Sequence, residues 1–344
     1  MHMSDALLSV AVGGTMSALS TGAIAHSIHK IKNVELDEKK IPMMGVMGAF
    51  VFAAQMINFT IPATGSSGHI GGGILLAALL GPYEALITLA SVLLIQCLFF
   101  ADGGLLALGA NIFNMGVMTC FVAYPLIYKP IVMKKMTPKR ITIASILAVV
   151  VGLQLGAFLV VVETTASGIT ELPFVAFVSL MQPIHLAIGI VEGVVTATVV
   201  CFIYKVRKEI LDGVQQKESM KDVSIKKVFT YMLVATVFIG GILSIYASSN
   251  PDGLEWSIQG VTGTTELEKD SRAHEAVSNI QEKTAILPDY SFKTEKEVPE
   301  GVGTSLSGIV GGLFTLTAAV LTGFILLKVK KDKNDDSMIT IDKE

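Results

Sequence analysis

Successive apolar runs in this chain approach the roughly 20 residues that an α-helix needs to cross the hydrocarbon core of a bilayer. They cover 6–28, 43–59, 83–100, 105–128, 141–162, 183–204, 228–247 and 307–327. One further run, 70–80, is too short to span at about 1.5 Å per residue, and Gly81-Pro82 ends it. Composition agrees: of 344 residues, 51% are hydrophobic and only 16% charged, where soluble globular chains carry about a quarter charged residues. The expectation is an all-α polytopic membrane protein with about nine transmembrane segments. Cys97, Cys120 and Cys201 all fall inside apolar runs without CxxC spacing, which reads as small buried hydrophobes and not as disulfides or thiolate metal ligands.

Charge orients the segments. The loops 30–41, 129–140 and 205–227, with the tail 328–344, hold 21 of the 26 Lys and Arg. The alternate loops 60–69, 101–104, 163–182 and 248–306 hold the other five, all in the last of them. The positive-inside rule puts the first set in the cytoplasm, the N-terminus outside and the C-terminus inside. The long outer loop carries eleven acids against five bases, a patch suited to concentrating cations or simply to solvation. No basic n-region precedes the first run, so the chain lacks a signal-peptide pattern and Met1 is expected to be the mature end.

That end carries chemistry. A free amine at Met1, a deprotonated backbone nitrogen at His2 and the His2 imidazole close two fused chelate rings on one cation. A fourth nitrogen would come from His69, in the uncharged stretch Gly65-Ser66-Ser67-Gly68-His69 just before the short run. The topology puts both on the outer side. An all-nitrogen square set favours Ni(II) or Cu(II) over Zn, Mg or Ca. The start of the short helix points its positive dipole end at any cation there, which an anionic amide nitrogen would offset. His26 and His29, three apart, are either interfacial caps or a secondary metal contact.

Other polar residues sit within apolar runs. Asn111 and Asn114, at i, i+3, face the bundle, as second shell to the metal or as helix–helix glue. His185 and Glu192 share a helix face two turns apart. They mark a pathway, or a structural pairing such as one to Asn114. Gly189 and Gly193 would let another helix approach closely.

Together Met1-His2, the Gly65–His69 loop, Asp102-Gly103-Gly104, Gly109-Ala110-Asn111-Ile112-Phe113-Asn114-Met115-Gly116 and His185 to Glu192-Gly193 resemble the CbiM/NikM family. These are the substrate-capturing S components of cobalt and nickel energy-coupling-factor transporters. Pro251-Asp252-Gly253-Leu254-Glu255 resembles the small PDGLE-type accessory subunit, with two membrane helices around an outer loop. The resemblance implies a seven-helix S-component core over 1–205, a cytoplasmic linker at 206–227, an accessory unit at 228–328 and a cytoplasmic tail at 329–344. It implies that Met1, His2 and His69 hold nickel or cobalt as transported substrate. Partners would be ATPase subunits, a membrane coupling subunit and the bilayer of a prokaryotic cell, with no nucleic acid. The chain departs from the family at Ala6, where a glycine often stands, so it loses backbone freedom there.

No Gly-xxxx-Gly-Lys-Ser/Thr loop occurs, so ATP hydrolysis must come from other chains. A self-sufficient proton-coupled transporter using His185 and Glu192 is the alternative, although the two halves show no inverted repeat. A metalloenzyme lacks support, with no His-Glu-xx-His and no open coordination position. Nickel is slightly favoured over cobalt, because cobalt(II) displaces an amide proton less readily.

Overall fold

The computed structural model describes residues 2–33, 40–216, 224–265, 267, 271–293, 299 and 301–341. Met1 and parts of the charged loops (34–39, 217–223, 266, 268–270, 294–298, 300) and of the tail (342–344) lie outside the described residues. The elements run α1 (Val10–Asn33), α2 (Lys40–Gln55), β1 (Phe59–Ile61), β2 (Ser66–Gly68), α3 (Gly73–Leu80) and α4 (Pro82–Phe100). Then come α5 (Leu108–Lys134), α6 (Pro138–Ser167), α7 (Phe174–Val206), α8 (Lys208–Gln216), α9 (Lys226–Tyr246), α10 (Gly253–Thr262), α11 (Arg272–Thr284) and α12 (Val302–Ile341). Among the described residues six helices are long and apolar enough to cross a membrane: α4 to α7, α9 and the 302–325 part of α12.

Helices without a polar face belong inside. Both α2 and α3 follow that rule: all eight residues of α3 are buried, as is nearly all of α2 from Ile41 to Gln55. The outer helices instead show apolar stripes at helical spacing, such as Ile143, Leu147 and Val151 on α6 and Leu186, Ile190 and Val194 on α7. Exposed apolar stripes of this kind suit contact with lipid. The expected glycine contact is present: a Cβ at Gly193 would stand 2.7 Å from the Ile146 Cα, and one at Gly189 3.2 Å from the Val150 Cα. α6 and α7 therefore touch backbone to backbone. α9 and α12 cross on Gly240 and Gly308 in the same way, and α12 lies along α2, with Gly311 against the Phe52 ring.

Several boundaries differ from the sequence expectation. The outer connection between α6 and α7 is only 168–173, not 163–182. Pro183 lies inside α7 instead of opening it. Its missing N–H would break the ladder, but Gln154 Nε2 donates to the Gln182 carbonyl at 2.9 Å and braces that turn. The first run does not begin as a helix at residue 6. Residues 5–7 form a separate short turn, and α1 starts at Val10. The loop before His69 holds a two-stranded antiparallel ribbon pairing Phe59 with Gly68 and Ile61 with Ser66. The long outer loop is structured too. Asp252 opens α10 with a reciprocal capping box to Glu255, and Ser271 caps α11.

Candidate metal centre

Residues 2–8 form a plug at one end of the bundle, beside the 102–107 turn. Met3 and Asn111 pair reciprocally: the Met3 N–H donates to Oδ1 at 2.8 Å, and Nδ2 donates to the Met3 carbonyl at 3.2 Å. The Gly104 N–H donates to the same carbonyl at 2.9 Å. Asp5 Oδ1 accepts the Leu106 and Ala107 N–H groups at 2.9 and 3.1 Å. Met3, Leu7 and Leu8 are fully buried beneath. The two glycines of Asp102-Gly103-Gly104 are steric requirements. Gly103 takes φ +77 with the His2 Cβ 3.3 Å from where its own would stand, and a Cβ at Gly104 would collide with the Asp5 carboxylate.

This plug delivers His2 to His69. The rings stack with centroids 5.1 Å apart and planes 11° apart. His2 Nδ1 donates to Asp102 Oδ1 at 3.0 Å, while its Nε2 is buried without a hydrogen-bond partner. His69 Nδ1 lies 3.0 Å from the Ile70 carbonyl. A carbonyl only accepts, so Nδ1 carries the hydrogen and the lone pair is on Nε2. Loss of solvent around His69, helped by the nearby His2 charge, holds its pKa down to about 3. It is neutral at neutral pH and has no proton to shed before ligating. Burial alone would raise Asp102, but the charge and hydrogen bond of His2, with the Tyr290 hydroxyl, hold it down to about 2.

Glu192 sets the height of His69. Its two oxygens accept the Gly71 and Gly72 N–H groups, each at 2.9 Å. That caps α3, whose first amides have no partner within the helix. The expected pairing of Asn114 with His185 or Glu192 is absent: Asn114 Nδ2 donates to Glu163 at 2.9 Å and lies 3.8 Å from the Met3 sulfur. His185 Nδ1 bonds the Met181 carbonyl at 2.8 Å. His26 is not at the centre. It lies about 24 Å along α1 from Val10 at 1.5 Å per residue and packs edge-on against Tyr83 and Phe121.

The accessory region covers the site. Ser67 donates through its N–H to Pro251 O and through Oγ to Asn250 O, each at 2.8 Å, and Trp256 Nε1 donates to Thr64 O at 2.9 Å. On the other side His274 Nε2 donates to Leu8 O at 2.9 Å, Gln281 Nε2 to Gly103 O at 2.8 Å, and the Tyr290 hydroxyl to Asp102 Oδ2. Between these two clamps lies a cavity of about 930 Å³, bordered by His2, His69, Asp102, Asp252, Glu255 and Tyr290. Among the described residues no three His, Cys, Asp or Glu side chains converge to hold a metal ion. Among the described residues, His2 and His69 are the two imidazoles that border this cavity. Asp5, Gln281 and Tyr290 were not singled out from sequence. Asp102, Asp252 and Glu255 stood in quoted motifs without a role of their own.

Comparison with known proteins follows the same division. The family described as cobalt uptake substrate-specific transmembrane region matches residues 2–210, and the PDGLE domain matches 226–328. A relative in Archaeoglobus fulgidus that bears the name of a fused nickel transport protein, NikMN, is 30% identical over 316 residues, spanning 92% of this chain and 96% of its own. The cobalt transport protein CbiM of Sorangium cellulosum is 28% identical over 220 residues, spanning 62% of this chain and 96% of its own. A crystal structure of a transition metal transporter is 30% identical with a TM-score of 0.54, covering 63% of this chain and 100% of that one.

Proposed function

The chain belongs to the CbiM/NikM family of substrate-capturing S components of cobalt and nickel energy-coupling-factor transporters, joined to a PDGLE accessory domain, and from that premise we propose that it captures a Ni(II) or Co(II) ion with its first two residues and His69. It is a metal-transport membrane subunit with no catalytic domain evident. The proposed ligands are the Met1 amine, the His2 backbone nitrogen, His2 Nδ1 and His69 Nε2. The observation that carries this reading is the stacked His2–His69 pair, held by the plug on one side and by the Glu192-capped turn on the other.

The chemistry follows from the donor set. Only Nδ1 of His2 closes a six-membered ring with its own backbone nitrogen, since Nε2 lies on the far side of the imidazole. Nδ1 is bonded to Asp102. Metal binding would therefore exchange the Nδ1–H···Asp102 bond for a metal bond, release the His2 amide proton and move the imidazole hydrogen from Nδ1 to Nε2. Asp102 remains as a carboxylate beside a dication. Four nitrogens in a plane favour nickel over cobalt. Main-chain ligation also accounts for a site in which only two ligating side chains meet.

Release into the cell would draw on ATP hydrolysed by partner ATPase subunits through a membrane coupling subunit, with the basic loops on the cytoplasmic side and the N-terminus outside. The core would be 1–205 and the accessory unit 228–328. Proton coupling through His185 and Glu192 has weak geometric support, because Glu192 spends both oxygens on the α3 cap.

The deciding experiment inserts one alanine between Met1 and His2. Every side chain is retained, but the chelate ring size changes. Nickel affinity of the purified protein should fall by at least about 100-fold, as losing outer-shell support alone costs 10–100-fold. Unchanged affinity would sink the N-terminal chelate. His69→Ala should also weaken binding, and if it does not, the fourth ligand is elsewhere.

A further inference from the structure

His185 stands where the proposed capture site meets the interior of the bundle. It is 1% exposed. With Nδ1–H committed to the Met181 carbonyl, its lone pair is on Nε2. That nitrogen is buried and has no hydrogen-bond partner, a condition rare in native structures that calls for an explanation. A purely structural histidine in this chain looks different. His274 uses both ring nitrogens, Nδ1 with Ser271 Oγ at 2.6 Å and Nε2 with Leu8 O at 2.9 Å. His185 instead shares the arrangement of His69: Nδ1 tied to a backbone carbonyl and the Nε2 lone pair directed elsewhere. That is how proteins orient metal-ligating imidazoles.

The two rings also share a space. His69 and His185 line one small cavity of about 10 Å³, with Met115, Leu153 and Ile188 around it. That is room for about one water-sized particle. Its roof is the accessory motif. A Cβ at Gly253 would stand 3.1 Å from His185 Cε1 and 3.4 Å from Nε2, so the space depends on residue 253 being glycine.

We infer that His185 Nε2 is an inner nitrogen ligand, which receives the metal ion from His69 as it leaves the outer four-nitrogen site. This rests on the capture reading above. The exchange is balanced. The metal–nitrogen bond to His69 breaks as the one to His185 forms; the Met1 amine and His2 Nδ1 yield their places to water, and the His2 amide nitrogen takes back a proton from a water on the ion, which keeps the resulting hydroxide.

The test uses the full chain. His185→Gln keeps an amide donor for the Met181 carbonyl and removes the imidazole. Nickel affinity of the purified protein should stay within about threefold of wild type, equivalent to well under 1.4 kcal/mol. Nickel uptake by cells carrying the chain with its partner subunits should fall at least about tenfold. With His2 and His69 both changed to alanine, weak Co(II) binding should persist with an imidazole signature in pulsed electron paramagnetic resonance, and adding His185→Gln should abolish it. Wild-type uptake by His185→Gln, or an imidazole signal surviving in that triple variant, overturns the inference. Wild-type affinity in His69→Ala overturns the capture reading, and this one with it. If His185→Gln does not assemble, Gly253→Ala replaces it. Its methyl fills the cavity, so uptake should fall with affinity kept, and unaltered uptake overturns the inference.

Discussion

Asp5 offers a direct measure of how firmly the N-terminal plug is docked. Its Oδ1 accepts two backbone hydrogens, from Leu106 and Ala107. Hydrogen bonds to charged groups contribute about 1.5–3 kcal/mol each. Taking the lower figure for both, Asp5→Ala removes about 3 kcal/mol of local protection and leaves two covered N–H groups without their acceptor. At 1.4 kcal/mol per factor of ten, the Leu106 and Ala107 amides should exchange with deuterium about 100-fold faster. Asp5→Asn keeps an acceptor oxygen but loses the charge, so about 1 kcal/mol and roughly a fivefold acceleration are expected. The assay is hydrogen–deuterium exchange by mass spectrometry on protein in detergent micelles. The Gly71 and Gly72 amides, held by Glu192, serve as the internal control and should not change. Nickel affinity should weaken in the same order, Ala more than Asn, because an undocked plug no longer presents His2 to His69. Exchange at Leu106 and Ala107 that matches wild type in Asp5→Ala would refute the account of the plug.

Three further outcomes follow from packing and charge. Glu192→Ala orphans two N–H groups at the start of α3 and should lower stability in detergent by about 3 kcal/mol or more, with Glu192→Gln recovering part of it, read from thermal melts. Gly193→Leu drives a side chain into the α6 backbone at Ile146 and should cost at least about 1–3 kcal/mol, whereas Gly189→Ala, meeting Val150 at 3.2 Å, should be milder in the same melts. His69 is held at about 3 when folded, below its ordinary 6.5. The unfolded chain therefore binds the extra proton first, and His69 makes stability fall as pH drops from about 6.5 towards 3. His69→Gln should flatten that part of the stability profile, and an unchanged acid slope would contradict the assignment.

The sequence made some features plain because they are local. The short third run, the glycine pair on α7 and the burial of Cys97 and Cys120 all came from spacing or composition. Charge alternation put His2 and His69 on one side, and the fold stacks them. What escaped is what joins distant residues. Asn111 read either as support to the metal site or as a helix–helix contact, and the partner it takes is the backbone of Met3. Glu192 read either as a pathway residue or as a structural pairing, and its partners are two N–H groups at the start of α3, more than 100 positions earlier. Nothing near Tyr290 or Gln281 marks them, because their partners, Asp102 and Gly103, lie in another domain of the sequence. The extension of α7 back to Phe174 was hidden by Pro183, beside which Gln154 of a neighbouring helix donates to the Gln182 carbonyl.

The clasp over the plug also imposes an order in time. His2 is among the first residues made, but the groups that fasten its surroundings, His274, Gln281 and Tyr290, come some 270 or more positions later. At 5–20 residues per second, roughly 15–60 s separate the two during synthesis. Throughout that interval the N-terminal plug has no clasp fastened over it. Under the capture reading proposed above, an end that is exposed before it is enclosed gives the nascent chain a window in which any tightly chelating cation, copper above all, competes for it. The last of these segments to emerge is thus also the one that ends the exposure of the first.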